Sequence, residues 1–404
     1  MKKSVLYIFI ACLNLVLFTA CEKDDTDFSA YDFSSYSLDS ESDDDEDDGA
    51  DTDGMVIYIN FSDGSATVTG DDNGYVSVSN ADVVVNDPTA YETAEGLTLV
   101  LSGSTSDGSL LVYRNKKYTI QLNNVTIHNA DGPAINNQCS KSLYVQCLDG
   151  TTNTLSDGTA YTDVTDSEST VIDQKGTLFS EGQVYFSGAG TLNVTANCKN
   201  AIASDDYLTI ESDITINTTT STTGSNGVKA NDGVFINGGV LNVEVNSLGG
   251  RGIRSEAETT ITGGTVTITT TGDCEEVYDE TTFTYEYSSA ACIRSTGVFT
   301  LSGGTVTLSS SGDGGKGINC DADVIVTGGS LVATTTGTKN NAKPKAVKSD
   351  TNITLSGGYF EARVANGWAC DNATDSTDPA GRVTIVGTPT TSSIAKQEVI
   401  VSFE

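Results

Sequence analysis

Five Gly-Gly pairs occupy the same place in five similar stretches, "INGGVLNVEV", "ITGGTVTITT", "LSGGTVTLSS", "VTGGSLVATT" and "LSGGYFEARV", which begin at Ile236, Ile261, Leu301, Val326 and Leu355. The intervals are 25, 40, 25 and 29 residues. A recurring period of this size marks a solenoid or a propeller. Within each stretch apolar residues alternate with Thr, Ser or Asn, which is a strand pattern, and nothing after the first twenty residues reads as a helix. Propeller blades need longer, four-stranded repeats, so the period predicts an all-β fold, a parallel β-helix.

The columns of the repeat support that choice. Ile236, Ile261, Leu301, Val326 and Leu355 fall in one position, and Leu241, Val266, Val306, Leu331 and Phe360 in another. Upstream of each corner stands a second landmark: "GVKA" at Gly227, "GIRS" at Gly252, "CIRS" at Cys292, "GINC" at Gly317 and "AVKS" at Ala346. Its aliphatic residues, Val228, Ile253, Ile293, Ile318 and Val347, are predicted to point inward and stack on rungs about 4.8 Å apart. Each Gly-Gly is read as a corner where positive φ is tolerated. Residues 55–404 are therefore expected to form a single domain with on the order of a dozen coils. Exposed sheet ends invite edge pairing, so caps are expected near Met55 to Glu95 and near Val383 and Val399.

The first 20 residues read as a signal peptide: Lys2 and Lys3, then an apolar run from Val5 to Phe18, then Thr19 and Ala20 before Cys21. The ending "LFTAC" resembles a lipobox, which implies lipidation of Cys21 and a membrane partner through that anchor. The following "EKDD" resembles an acidic surface-export signal. The expected location is the outer membrane, exposed at the cell surface, with the periplasmic face as the alternative. Residues 21–54 hold 15 acidic residues against one lysine and read as a self-repelling disordered tether. The whole chain carries 55 acidic and 21 basic residues, a net charge of −34. Nucleic acid is excluded as a partner, because neutralising phosphates needs a basic face.

The tandem Gly-Gly coils, together with "DGPAI" at Asp131, "LDGTTNTLSDG" at Leu148 and "KGTLFSEGQVYFSGAGTLNV" at Lys175, resemble a family of secreted bacterial carbohydrate-binding proteins. The resemblance runs from roughly Ile59 to Arg363. It implies a right-handed parallel β-helix with a pectate-lyase-like shape, binding of cellulose-like or acidic polysaccharides, and bound calcium. Where that family often has Asp-Gly-Ile before the inward Ile, this chain has "SNGV", "GRGI", "AACI" and "GKGI".

Candidate site residues follow from the register. Lys229, Arg254, Arg294 and Lys348 each stand one residue after an inward aliphatic, with Asn319 filling the gap, and Arg251, Lys316 and Lys345 flank them. Such a line of cations suits the carboxylates of a uronic-acid polymer; the alternative is salt bridging to nearby acids. The 40-residue interval contains an insertion from Glu275 to Ala290 with Tyr278, Phe283, Tyr285 and Tyr287. Tyr285 and Tyr287 are the preferred rings for stacking on sugar, and packing of the loop on its own coil is the alternative. Cys274 and Cys292 bracket the insertion and are expected to bridge its base, while Cys320 and Cys370 are assigned to the column of Ala230, Ser255, Ser295 and Ser349. Asp273 and Asp313, at one position of successive coils, are the preferred calcium ligands. The lone His128 reads as a surface residue, and no compact acid, base and nucleophile set stands out. Binding without chemistry is favoured, with a calcium-dependent lyase or a surface adhesin as alternatives.

Overall fold

The computed structural model describes residues 54–87, 96–166, 169–339 and 342–403. The leader, Cys21 and the tether as far as residue 53 lie outside the described residues. The body is a parallel β-helix. One coil comprises the strands Val228–Ala230, Val234–Ile236 and Val240–Val245, and each pairs in parallel with its counterpart in the next coil, Arg251–Ser255, Thr259–Ile261 and Thr265–Thr270. Strands of the first kind stack in parallel from Asp82–Asn86 to Trp368–Asp371 in a 12-stranded sheet whose first strand, Val76–Ser79, pairs antiparallel. The other two kinds join in a 23-stranded sheet, because the long early strand Tyr118–Asn129 pairs with both.

The predicted columns are the rungs. Ile236, Ile261, Leu301, Val326 and Leu355 pair in sequence and are fully buried. Val228, Ile253, Ile293, Ile318 and Val347 form a second buried column. On the outside of the long strands, the Asn217 and Asn242 side-chain amides donate to Asn193 and Asn217 at 2.8 and 2.9 Å, so the polar alternates also link coil to coil.

The two glycines of each corner are needed for different reasons. The second has positive φ, 67° at Gly239, 78° at Gly264 and 77° at Gly304. The first passes so close to the preceding corner that a Cβ on Gly303 would lie 2.2 Å from the Thr262 carbonyl oxygen. Any side chain there would push successive coils apart.

Both ends close with antiparallel pairing. At the start, Gly54–Ser62 folds back on Ser65–Thr69; at the end, Tyr359–Val364 pairs with Glu398–Ser402, which also pairs with Thr391–Ile394. These turns remove the open ladder that a solenoid presents at its ends.

Two cysteine expectations are corrected. Cys274 and Cys292 are both free thiols. Cys292 faces the core, 3.6 Å from the Ile268 carbonyl oxygen, and burial pushes its thiol up to about 12. Cys274 sits half-buried at the surface corner, so the two side chains serve different environments. Cys370 pairs with Val347 and thus takes the inward aliphatic column, whereas Cys320 does stand between Ser295 and Ser349. The strand Trp368–Asp371 lacks the spacing of the earlier coils, which misleads a count by Gly-Gly corners.

Candidate functional site

The outer face of the 12-stranded sheet brings the cations together. Lys229, Arg254, Arg294, Asn319 and Lys348 are register partners in that order, and the row ends on Asp371. A second row on the same face runs Arg251, Ala291, Lys316, Lys345 and Trp368. Both residues between the rows, such as Gly252 and Ile253, point into the core: a Cβ on Gly252 would meet the Ile268 side chain at 2.2 Å. This inward pair lets positions three apart share one outer face.

The face is bounded at both ends. Upstream, the first row continues to Ala203 and Phe179, yet both are buried although they point outward. The connection before Gly176 covers them: the Asn136 and Asn200 side-chain amides donate to the Asp173 and Lys175 carbonyls, and the Lys175 ammonium lies 5.6 Å from the Phe179 ring. Downstream, the Trp368 ring is flanked by Arg382 and Lys396 at 4.0 and 5.2 Å.

The first row is largely neutralised by its own acids. Arg254 pairs with Glu256, Arg294 with Asp321 and Lys348 with Asp350, each at 2.6 Å. Salt bridging, the alternative posed for this row, therefore describes much of it. In the second row Lys345 pairs with Asp371 at 2.6 Å. Lys316 differs. It is 8% exposed, its ammonium nitrogen donates to the Ser289 hydroxyl, and among the described residues it has no carboxylate partner. Burial, then the Lys348 and Lys345 charges, push its pKa down to about 7.

The insertion is an antiparallel hairpin of Glu275–Asp279 and Thr284–Ser288. Its base rests on the second row: the Arg251 guanidinium donates to the Ser288 hydroxyl at 2.5 Å, and Lys316 reaches Ser289 next door. Opposed pairs share a hairpin face, so Tyr278 with Tyr285 and Glu276 with Tyr287 line one side. Tyr278 and Tyr285 are 48% and 60% exposed with ring centroids 5.0 Å apart, and Phe283 at the turn is 77% exposed. Tyr287 instead donates to Glu276 at 2.6 Å. Of the two preferred rings, Tyr285 stands open, while Tyr287 is tied to the hairpin and is less exposed than Tyr278 or Phe283.

Asp273 and Asp313, the expected calcium ligands, link one corner to the next. Each accepts, at 2.7 Å, the backbone N–H of the residue one coil on, Asp313 for Asp273 and Thr338 for Asp313. The Thr338 hydroxyl and backbone N–H hold the Asp313 carboxyl below its ordinary range. Among the described residues, the acidic group that converges is Asp173, Glu181 and Asp205, with one oxygen of each within 4.8 Å of the others. Lys175 lies between two of them, 2.7 Å from Asp173 and 2.6 Å from Asp205. Burial, then the Asp205 and Asp173 charges, raise Glu181 to about 7. Three hard oxygen donors suit calcium in chemistry, with Lys175 as the built-in competitor. Only tertiary packing joins these residues, because Asp205 comes from the next coil.

Comparison with known proteins now bears on this face. The model of the carbohydrate-binding domain-containing protein family matches residues 86–274 and 242–340. The chain belongs to that family. Its two matched stretches overlap, as tandem coils of similar register allow. A solved structure of the polysaccharide lyase-like protein from C. thermocellum, as a gadolinium derivative, is similar in fold: the TM-score is 0.51 at 23% identity, covering 67% of this chain and 96% of that one. No curated protein matches the chain. The cations, the hairpin and the closed ends thus belong to a member of a carbohydrate-binding domain family folded as a parallel β-helix.

Proposed function

We propose that the protein binds an anionic polysaccharide of the uronic-acid class along the outer face between Lys229 and Lys348, without acting on it. One observation carries this reading: an exposed aromatic hairpin is anchored by hydrogen bonds to the cationic row beside it. Aromatic rings offer apolar area to sugar faces, and charged donors in register at coil spacing match a polymer with regularly placed carboxylates. The paired cations of the first row exchange an internal acid for a ligand acid, so they favour selectivity over tight binding. The lipobox-like "LFTAC" supports an anchor at Cys21 that presents this face outside the cell.

Affinity electrophoresis through polygalacturonate tests the proposal. The full chain is expected to be retarded in that gel and little retarded in one containing neutral glucan. Arg254→Ala with Arg294→Ala, or replacement of residues 276–287 by Gly-Gly, is expected to weaken retardation by about tenfold, in line with two charge-assisted contacts or two to three rings. Retardation unchanged in both variants removes this face from the account. Appearance of ultraviolet-absorbing unsaturated uronides would turn the binder into a lyase.

Calcium, in this reading, is held by Asp173, Glu181 and Asp205. Millimolar calcium is expected to raise the melting temperature of Lys175→Met more than that of the unaltered chain, since the ammonium no longer competes for two of the carboxylates. Equal shifts in the two proteins would separate calcium from this cluster.

A further inference from the structure

Lys316 is a cation with no local reason to be charged. It lies on the face described above, buried on the strand Lys316–Cys320 between two cationic strands. Arg294 approaches from the strand before it, Lys345 and Lys348 from the strand after it, and Cys274 from the foot of the hairpin. The carboxylates nearby are committed elsewhere: Asp321 to Arg294, Asp350 to Lys348, and Asp371 to Lys345 and Arg382. Ser289 supplies its hydrogen bond, and a hydroxyl serves a neutral amine as well as an ammonium because it both donates and accepts. The surroundings therefore favour the neutral amine until an anion arrives.

We infer that this face takes up an anionic sugar together with a proton, and that Lys316 is the group that receives it. The inference rests on the binding reading above and adds its regulation. A carboxylate seated against Lys316 supplies the missing opposite charge and draws the proton from solvent onto Nζ. Desolvation and the Lys348 and Lys345 charges, which put the free amine near 7, set where the coupling operates. Arg294 and Lys348 are ion-paired, and the uronate carboxyl stays ionised above pH 6, so these groups change little across this range; Lys345, lowered to about 8 by burial and then by the Arg382 charge although Asp371 lies beside it, is a second group on this face that titrates within it.

The consequence is binding that weakens as pH rises above neutrality, by up to about tenfold per pH unit at full linkage. Calorimetric titration of the full chain with an oligogalacturonate, from pH 6 to 9 in two buffers of different ionisation enthalpy, reads this directly. The expected result is uptake of close to one proton per site near pH 8 and a progressive loss of affinity. Lys316→Arg, whose guanidinium stays charged throughout, is expected to lose most of the proton uptake and to bind with a flatter profile, whereas uptake that persists undiminished in this variant belongs to Lys345 and overturns the inference. Tight binding with no proton uptake in the unaltered chain overturns the inference and leaves the binding reading standing. No binding at any pH overturns both. Side-chain nitrogen-correlated NMR of the free protein gives an independent check that needs no variant: a Lys316 that titrates like an exposed lysine, at about 10, overturns the inference.

Discussion

Replacing Lys316 by methionine is expected to stabilise the folded protein at pH 7 by about 2–4 kcal/mol, an unusual outcome for the loss of a charged residue. The side chain is almost wholly buried, lies among cations and, among the described residues, has only Ser289 as a hydrogen-bond partner. The sign follows from the direction of the shift. In the folded chain the amine titrates near 7, and in the unfolded chain near its ordinary 10.5. Between those values the unfolded state binds more protons, so stability rises with pH across the window. The cost of the lysine is therefore greatest below pH 7 and has disappeared by about pH 10.5. Denaturant unfolding of both proteins at pH 6.5, 8 and 10 checks this. A methionine advantage of the same size at pH 6.5 and pH 10 would assign it to packing instead of charge. A stabilising substitution on a proposed binding face also fits the usual exchange of stability for function.

Truncating Phe299 to alanine is expected to destabilise the protein by about 3–5 kcal/mol. The ring is fully buried in the column between Thr259 and Val324, one residue of each coil. Neither neighbour is large enough to fill the space, and the coils cannot close up because their backbones are spaced by the ladder hydrogen bonds. Coils contact only their neighbours, so the damage is local to the middle of the solenoid, at the coil that carries Arg294. Thermal melting and hydrogen exchange check this: the expected result is lost protection in the strands Phe299–Leu301 and Thr305–Ser310 before the terminal caps. A loss under 1 kcal/mol would show that this column tolerates a hole.

Much of the architecture is legible without coordinates because the repeat states it twice over. The same apolar residue at the same phase of every coil can only be buried if the coils stack in register. Thus the pairing of Ile253 with Ile293 follows from spacing even across the 40-residue interval. The cationic row is legible for the same reason, since Lys229, Arg254 and Arg294 inherit the phase of the aliphatic residues before them. Register fails where the repeat thins out. Trp368–Asp371 has no Gly-Gly corner of its own phase, so a count by corners puts Cys370 one column away from Val347, its true partner.

Coordinating chemistry is less legible than register. Asp273 and Asp313 share a phase, as expected, but phase does not say whether an oxygen faces an ion or the amide of the next coil. Their 2.7 Å bonds to backbone N–H groups are a structural use of the same regularity. Asp173, Glu181 and Asp205 carry no common phase, and their convergence depends on the path of the connection that precedes Gly176.

The amino-acid sequence by itself determined the solenoid, its inward columns and the row of outward cations, because periodic burial needs nothing beyond the identity of residues at fixed separations. Tertiary structure alone decided which of those cations keep an acid and which does not, where the hairpin stands and which of its rings stay exposed. Those outcomes depend on distances of a few ångströms between side chains from different coils. Electrostatic energy and hydrogen bonding vary steeply over such distances, and a residue's place in a repeat does not specify them.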